Sequence, residues 1–193
     1  MEKKYQVFYV DPPWKHRDST FAKRKTGSGM QSNIAPELRY PTMSMSELKT
    51  LQVEGVPIQE LAAPDAALFL WTTGPKMNEA VELLDAWGFR YVSIAFVWHK
   101  LTKNAKERTT LARWTLGSTE FVLMGRKGKI KPASRKIRQF VEAEVKGHSA
   151  KPEEVRRRIE QLLPDLPKIE LFHRGDCPPG WDCWGNESRK GAA

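Results

Sequence analysis

Residues 66–71, with the sequence Ala-Ala-Leu-Phe-Leu-Trp, form an unbroken apolar run of strand length. A strand with one face in water alternates apolar and polar residues, whereas an unbroken run is typical of a strand covered on both faces. Such strands belong to α/β proteins, in which helices pack on both sides of a mostly parallel sheet. The run therefore predicts a mostly parallel sheet with helices on both faces.

The rest of the chain alternates between strand and helix patterns. Strands are predicted at residues 7–10, 66–71, 89–98, 121–124, 168–173 and 181–184. A Ser44/Glu47 capping box predicts a helix through residue 51, Pro75 begins a helix that ends at Gly88, and a helix from residue 151 stops at Pro164. This alternation supports the α/β class.

No composition shift divides the chain, so we predict a single domain over residues 1–193. Within it, residues 15–43 read as a long polar loop for substrate binding or gating, because loops of this length are often functional. Residues 126–138 read as a basic loop and residues 188–193 as a tail.

Polar side chains follow several of the predicted strands. Asp11, Thr72, His99 and Arg174 each fall just past a strand end. Because ligands of parallel α/β sheets bind at the carboxyl ends of the strands, these residues can share one rim.

The first of these strand ends carries the segment Asp11-Pro12-Pro13-Trp14. Proline cannot donate to a sheet ladder and fixes its own φ, so the strand must turn there. The Asp11 carboxylate and the Pro12 carbonyl can both accept hydrogen bonds, and Trp14 offers a flat face for stacking. The segment predicts a pocket for a planar group with an exocyclic amine, although a plain Pro-Pro turn has the same sequence signature.

The charge balance indicates the partner. The chain has 32 Lys and Arg against 23 Asp and Glu, a net charge of +9, which favours a polyanion such as nucleic acid. Seven cations and no acid lie between Arg126 and Arg138, and a second cluster follows Trp14. No apolar run reaches membrane-spanning length and the N-terminus lacks a signal-peptide core, so we predict a cytoplasmic protein.

The two cysteines, Cys177 and Cys183, flank a Pro-Pro-Gly-Trp segment. Two cysteines with no nearby pair of histidines do not form a zinc pattern, so we predict no metal site. A disulfide is not expected in a cytoplasmic chain.

Together with further segments, these residues resemble the MT-A70 family of S-adenosylmethionine-dependent adenine-N6 methyltransferases. The matching motifs are Asp11-Pro-Pro-Trp14, Tyr40-Pro-Thr-Met-Ser44, Leu68-Phe-Leu-Trp71, Trp87-Gly88-Phe89, Thr119-Glu120-Phe-Val-Leu-Met-Gly125, His148-Ser-Ala-Lys-Pro152, Glu170-Leu-Phe-His-Arg174 and Trp184-Gly-Asn-Glu187. They cover nearly the whole chain. The resemblance implies a Rossmann-like class I methyltransferase fold with the permuted β-type motif order, in which the catalytic turn precedes the cofactor strands.

The resemblance also implies roles for the first motif. Asp11 and the Pro12 carbonyl would accept hydrogen bonds from the adenine N6 amine, within a turn that Pro13 completes. Trp14 would stack on the adenine, since a purely structural tryptophan is less expected directly after a Pro-Pro turn. Tyr40 matches a position on the loop that gates the pocket, although it could equally be an anchor of that loop. Nucleic-acid contacts are expected from the two basic segments, at Lys15, Lys23, Arg24, Lys25, Arg126 and Lys127.

For the cofactor, S-adenosylmethionine, the resemblance assigns residues near the other end of the chain. Lys151 matches the lysine that meets the methionine carboxylate, and Arg174 matches the arginine near the ribose and the carboxylate. Asn186 and Glu187 match the pair that binds the ribose hydroxyls, and Asp11 borders the cofactor side as well. Asp176 stands where eukaryotic relatives carry a histidine, so the resemblance assigns this cofactor contact only weakly.

The expected function is methyl transfer to adenine N6 in DNA, by a bacterial or phage enzyme. The same reaction on RNA remains an alternative, and so does a catalytically inactive nucleic-acid-binding scaffold of the same fold. A homodimer is possible, since a two-fold axis would double the basic surface.

Overall fold

The computed structural model describes residues 4–15, 42–111, 114–146 and 150–189, with the backbone alone for residues 187–189. The strands in these ranges are β1 (Tyr5–Val10), β2 (Gln52–Val53), β3 (Val56–Pro57), β4 (Ala62–Thr72), β5 (Arg90–Leu101), β6 (Thr110–Leu111), β7 (Leu116–Gly117), β8 (Thr119–Lys127), β9 (Phe140–Glu144), β10 (Lys168–Leu171), β11 (Arg174–Asp176), β12 (Asp182–Trp184) and β13 (Glu187–Arg189). The helices are α1 (Met45–Lys49), α2 (Ile58–Leu61), α3 (Met77–Ala86) and α4 (Glu153–Leu162).

Seven of the described strands form one sheet in the order β12-β10-β1-β4-β8-β5-β9. The pairings of β12 with β10, β10 with β1, β1 with β4 and β5 with β9 are parallel. Strand β8 runs antiparallel to both of its neighbours, β4 and β5. The predicted α/β class is confirmed, and the sheet is mostly parallel, with antiparallel pairing confined to β8.

The central strands send alternate side chains into two hydrophobic cores. On β4, Leu68 and Leu70 join one core, whereas Phe69 and Trp71 join the other. Helices α1 to α3 cover the first core and α4 covers the second. Both faces of β4 are therefore dry, which is the physical reason for the unbroken apolar run, because each buried large side chain contributes about 1.5–3 kcal/mol.

The helix signals in the sequence correspond to real helix ends. Ser44 caps α1, with the Glu47 amide donating to the Ser44 hydroxyl and the Ser44 amide donating to the Glu47 carboxylate at 2.7 Å. Gly88 ends the α3 segment with a φ of +78°. A 3-10 helix over Gly74–Lys76 precedes α3, so the α-helix begins later than Pro75 predicted. None of the described helices is long and apolar enough to cross a membrane.

Three sequence expectations differ from the structure. The basic loop predicted from residue 126 begins later, because Arg126 and Lys127 belong to β8. The predicted tail from residue 188 is partly ordered, since Glu187–Arg189 pairs with Arg174–Asp176 as a two-stranded parallel sheet. Strand β9 was not predicted, because its alternation leaves Val141 as its only fully buried side chain.

Cys177 and Cys183 form a disulfide, contrary to the expectation of two reduced thiols. The intervening segment turns back so that the two Cα atoms lie 5.7 Å apart, which is within bridging range. A turn that brings two cysteines together does not follow from the cellular compartment, on which the expectation rested. The disulfide therefore closes the segment that joins β11 to β12.

Candidate active site

The register of the parallel strands brings distant segments to one edge of the sheet. Val10, the last residue of β1, pairs with Leu70 of β4 on one side and with Leu171 of β10 on the other. Asp11 follows β1, Thr72 is the last residue of β4 and Arg174 comes shortly after β10, so these three residues line the same cleft. The shared rim expected from the sequence is present for these three residues.

The turn after β1 is held in place by backbone hydrogen bonds. The Trp14 amide donates to the Pro12 carbonyl at 2.8 Å, and the Met43 amide donates to the Pro13 carbonyl at 2.9 Å. The Pro12 carbonyl has a second lone pair, so one acceptor position remains for a ligand. Both prolines line the cleft, and the Pro13 carbonyl is used to fix the turn.

Trp14 is packed more deeply than the sequence suggested. Its side chain is 8% exposed, and its indole N–H donates to the Trp71 carbonyl at 3.2 Å. It still lines the cleft beside Asp11. Trp14 therefore fixes the turn against β4 and contributes a wall to the pocket.

A chain of alternating charges runs through the cleft. The Lys151 ammonium lies 3.2 Å from Asp11 Oδ2 and 3.1 Å from Glu120 Oε2. Lys100 donates to the other Glu120 oxygen, Oε1, at 2.6 Å. The side chains of Lys151 and Glu120 are mostly buried, while that of Asp11 is 33% exposed. This arrangement leaves Asp11 as the member of the chain that is open to a ligand.

Three groups in this charge chain, Asp11, Glu120 and Lys151, have shifted pKa values. Burial raises the pKa of Asp11 above its ordinary value, and the Lys151 ammonium opposes the rise. Desolvation acts in the same direction on Glu120, but Lys151 and Lys100 outweigh it and lower the pKa of that carboxyl. Desolvation alone would lower the pKa of Lys151, but the two carboxylates raise it to about 12. Lys151 is therefore a permanent cation at neutral pH.

Two adjoining cavities meet at Asp11. The smaller, of about 160 Å³, is bordered by the turn, by Thr72 and Thr73, and by Glu120. The larger, of about 360 Å³, extends toward Tyr9, Glu170 and His173. Both cavities are lined by Asp11, Trp71, Lys151 and Arg174. We call the smaller one the acceptor cavity and the larger one the cofactor cavity, after the groups that the family resemblance would place there.

The wall of the cofactor cavity is built by a second ionic group. Arg156 of α4 makes two hydrogen bonds to Glu170, from Nε at 3.0 Å and from a terminal nitrogen at 3.3 Å. Nδ1 of the buried His173 lies 3.1 Å from Glu170 Oε1, although its alignment is not that of a hydrogen bond. The contact with Glu170 raises the pKa of His173, against the opposing effect of burial.

Asp176 and Asn186, which are also predicted for the cofactor, are not part of the lining of this cavity. Arg174 pairs with Glu187 across β11 and β13, so the two segments are neighbours. Asp176 is the last residue of β11 and is exposed, and Asn186 is exposed in the turn before β13. The structure thus brings the predicted cofactor segments together at one side of the cleft.

Two of the predicted substrate residues lie elsewhere. Arg126 and Lys127 are at the end of β8, where they pair with Ala67 and Ala66 near the start of β4. This is about 20 Å along the strand from Thr72, at the opposite edge of the sheet. Lys127 also donates to the Gln59 carbonyl at 2.9 Å. Lys15 is exposed just after the turn, whereas Lys23, Arg24, Lys25 and Tyr40 lie outside the described residues.

Sequence reasoning missed Glu120. It looked for polar residues after strands, but Glu120 is the second residue of β8, which runs antiparallel. The beginning of an antiparallel strand lies at the same edge as the ends of its parallel neighbours. The motif around Thr119 and Glu120 was recognised in the sequence, but the direction of β8, which places Glu120 at the cleft, could not be predicted from it.

Among the described residues, no group of three or more His, Cys, Asp or Glu side chains could hold a metal ion. The charged and aromatic side chains around the cofactor cavity fit an organic zwitterion that carries a sulfonium. Lys151 can receive a carboxylate, carboxylates are close by for an ammonium, and the rings of Tyr9, Trp71 and Phe172 border the space.

Comparison with known proteins connects this geometry to a family. The family model MT-A70 matches residues 5–187. The chain is 39% identical to the type II methyltransferase M.MunI of a Mycoplasma species, over 96% of this chain and 78% of that protein. It is 32% identical to an N(6)-adenosine-methyltransferase MT-A70-like protein of Drosophila melanogaster and 30% identical to the N(6)-adenosine-methyltransferase catalytic subunit METTL3 of Homo sapiens. Each of these two alignments covers 95% of this chain but only about a quarter of the animal protein, 27% and 28%.

Proposed function

The chain belongs to the MT-A70 family of S-adenosylmethionine-dependent adenine methyltransferases, and we propose that it methylates adenine N6 in DNA. The choice of DNA is supported by the likeness to the type II methyltransferase M.MunI, most of whose length the chain spans. The N(6)-adenosine-methyltransferases are less similar, and the chain spans about a quarter of each.

The observation that carries the proposal is the position of Asp11 between the two cavities. In the acceptor cavity, the Asp11 carboxylate and the free lone pair of the Pro12 carbonyl receive the two N–H groups of an exocyclic amine. The lone pair of such an amine is normally delocalised into the ring. Two acceptors favour the pyramidal amine that forms as the new bond develops, and so they stabilise the transition state more than the bound base.

When bound, S-adenosylmethionine would supply an electrophilic methyl group on its sulfonium: the carbon–nitrogen bond would form as the carbon–sulfur bond breaks, and a neutral thioether would leave. Asp11 accepts the amine proton that becomes acidic on methylation and releases it to solvent. Because this proton is lost easily, the carboxylate does not need to be a strong base. What the residues of the chain supply is mainly position.

Lys151 serves both cavities in this proposal. Two of its three N–H donors are held by Asp11 and Glu120, which leaves one for the cofactor carboxylate. Arg174, Asp176, Asn186 and Glu187 are assigned to the ribose and the rest of the cofactor. The acceptor turn lies at residue 11 and these residues lie between 151 and 187, which supports the permuted β-type order.

Adenine inside a duplex cannot reach the acceptor cavity, so it must be flipped out or supplied on a single strand. The test is transfer of a radiolabelled methyl group to duplex DNA, single-stranded DNA and RNA of the same sequence. The proposal expects labelled N6-methyladenine in DNA, with Asp11→Ala inactive while its nucleic-acid binding is largely intact. Labelling of RNA alone would replace DNA by RNA, and full activity of Asp11→Ala would overturn the catalytic assignment.

A further inference from the structure

The segment between β5 and β8, described at residues 102–111 and 114–118, projects as a hairpin that we call the rim hairpin. Backbone hydrogen bonds fix its base. The Lys100 amide donates to the Ser118 carbonyl at 2.8 Å, and the Arg108 amide donates to the Lys100 carbonyl at 2.8 Å. Farther out, Leu111 of β6 pairs with Leu116 of β7. The described residues of the rim hairpin are therefore an ordered extension of the sheet.

The outer part of the rim hairpin exposes large apolar side chains. Trp114 is 97% exposed, Leu111 is 74% exposed and Leu116 is 62% exposed. Of the seven tryptophans in the chain, five are buried and Trp184 is half-buried, so Trp114 stands apart. A single exposed apolar side chain is common on protein surfaces, whereas a group of them is typical of an interaction site.

The rim hairpin begins and ends beside the acceptor cavity. His99 pairs with Thr119 across its base, and the next residue, Glu120, lines that cavity. Trp114 is six residues from Glu120, a backbone path of at most about 20 Å in extended chain. One nucleotide of a strand spans about 3.4 Å. The indole of Trp114 can therefore reach a base at most about six nucleotides from an adenine bound in the acceptor cavity.

The charge of the rim hairpin favours a polyanion over a second copy of this chain. The cations among its described residues, Lys103, Lys106 and Arg108, are exposed. Its one described acid, Glu107, is engaged by His99 at 3.4 Å and by Ser118. Two copies of a chain with net charge +9 would repel each other at such a surface, whereas a phosphate backbone would be attracted.

We propose that Trp114 stacks on a nucleobase of the substrate strand near the target adenine, while the cations of the rim hairpin contact the flanking phosphates. The inference rests on the proposed function for its nucleic-acid substrate. Stacking suits this side chain because every base has a π-face, so the contact tolerates any sequence. Trp114 is a positioning residue here, since it does not touch the reacting atoms.

The fluorescence of Trp114 gives a direct test, because it is the tryptophan that iodide can reach most readily. Iodide quenching of wild-type protein is measured with and without a single-stranded, adenine-containing oligodeoxynucleotide, in the absence of cofactor. The nucleic acid is expected to abolish the readily quenched component. Trp114→Phe should lack that component from the outset.

Variants separate stacking from simple apolar contact. Trp114→Ala and Trp114→Leu should bind the oligonucleotide about tenfold more weakly, whereas Trp114→Phe keeps a ring and most of the affinity. Leu111→Ala is the matched control, because it shortens another exposed apolar side chain of the rim hairpin without removing a ring. The affinity for S-adenosylmethionine should be the same in all of these variants.

Three results would overturn the inference: an indole that iodide still reaches in the complex, Trp114→Leu binding as wild type does, or concentration-dependent shielding without nucleic acid, which would indicate self-association. Failure of the proposed function looks different. If an oligoribonucleotide shields Trp114 and the oligodeoxynucleotide does not, DNA is wrong and the stacking stands. If DNA is methylated while Trp114 stays accessible, the stacking alone is wrong.

Discussion

Glu120 and Lys151 meet at 3.1 Å although they come from an antiparallel strand and from the segment before α4. Because Lys151 also contacts Asp11, Glu120 acts on the acceptor cavity through the position of one ammonium group. The ion pair forms because β8 runs antiparallel to β4, which brings the Glu120 carboxylate to the cleft.

Replacing Glu120 by Gln should impair catalysis without unfolding the protein. Lys151 would keep Asp11 as a partner but lose its second anchor, and hydrogen bonds to charged groups contribute about 1.5–3 kcal/mol. We expect a ten- to hundredfold fall in kcat/KM for the nucleic acid. Glu144→Gln, at an exposed carboxylate of β9, should behave as wild type in the same steady-state assay. Wild-type kinetics in Glu120→Gln would show that Lys151 needs no second anchor.

Removing the Lys151 charge should move the pH profile. Burial raises the pKa of Asp11, and Lys151 opposes the rise, so Lys151→Met leaves burial less opposed and the pKa climbs further. Asp11 must be ionised to accept from the amine, so the acid limb of kcat/KM should shift to higher pH. Lys151→Arg keeps the charge and should keep the limb near its wild-type position. The measurement is made at saturating cofactor, and an unmoved limb in Lys151→Met would contradict the electrostatic role.

Asp11→Asn should make the protein more stable at neutral pH while abolishing methyl transfer. The pKa of Asp11 in the folded state is raised, so its ionised form is disfavoured there and stability is lost as pH rises above the unfolded value. The variant removes this loss, and we expect its melting temperature to be a few degrees higher. The difference should shrink as pH falls toward about 4, where the free carboxyl is protonated. Thermal unfolding of both proteins across this range checks the sign, and a less stable variant at neutral pH would refute it.

Gly185→Ala should weaken cofactor binding. An added Cβ would lie 2.8 Å from the His173 nitrogen and closer still to the His173 carbonyl oxygen, both of them backbone atoms that cannot turn aside. The strands that carry Arg174 and Glu187 would have to separate. We expect a loss of at least tenfold in S-adenosylmethionine affinity by calorimetry, together with a lower melting temperature. At Gly74 an added Cβ meets nothing within 4 Å, so Gly74→Ala is the control, and equal affinities in the two variants would exclude the effect.

The sequence predicted best what depends on local pattern. The apolar run around Leu68 identified a strand buried on both faces, and the Ser44/Glu47 pair located the start of α1. The strand-end rule brought Asp11, Thr72 and Arg174 to one cleft.

What depends on pairing direction or on chain reversal was missed. Glu120 reaches the cleft because β8 is antiparallel, and the same reversal takes Lys127 to the far edge of the sheet. The Cys177–Cys183 bridge required a turn that composition does not reveal. The deep packing of Trp14 depends on the Trp71 carbonyl, which lies 57 residues away in the chain.

The wall that the two cavities share has a thermodynamic consequence. Asp11 and Lys151 belong to both, so filling one cavity changes the charge and mobility that the other presents. Affinities linked in this way are reciprocal: whatever factor the methyl donor imposes on acceptor binding, the acceptor imposes on the donor. A ternary complex assembled in either order must therefore close the same free-energy cycle.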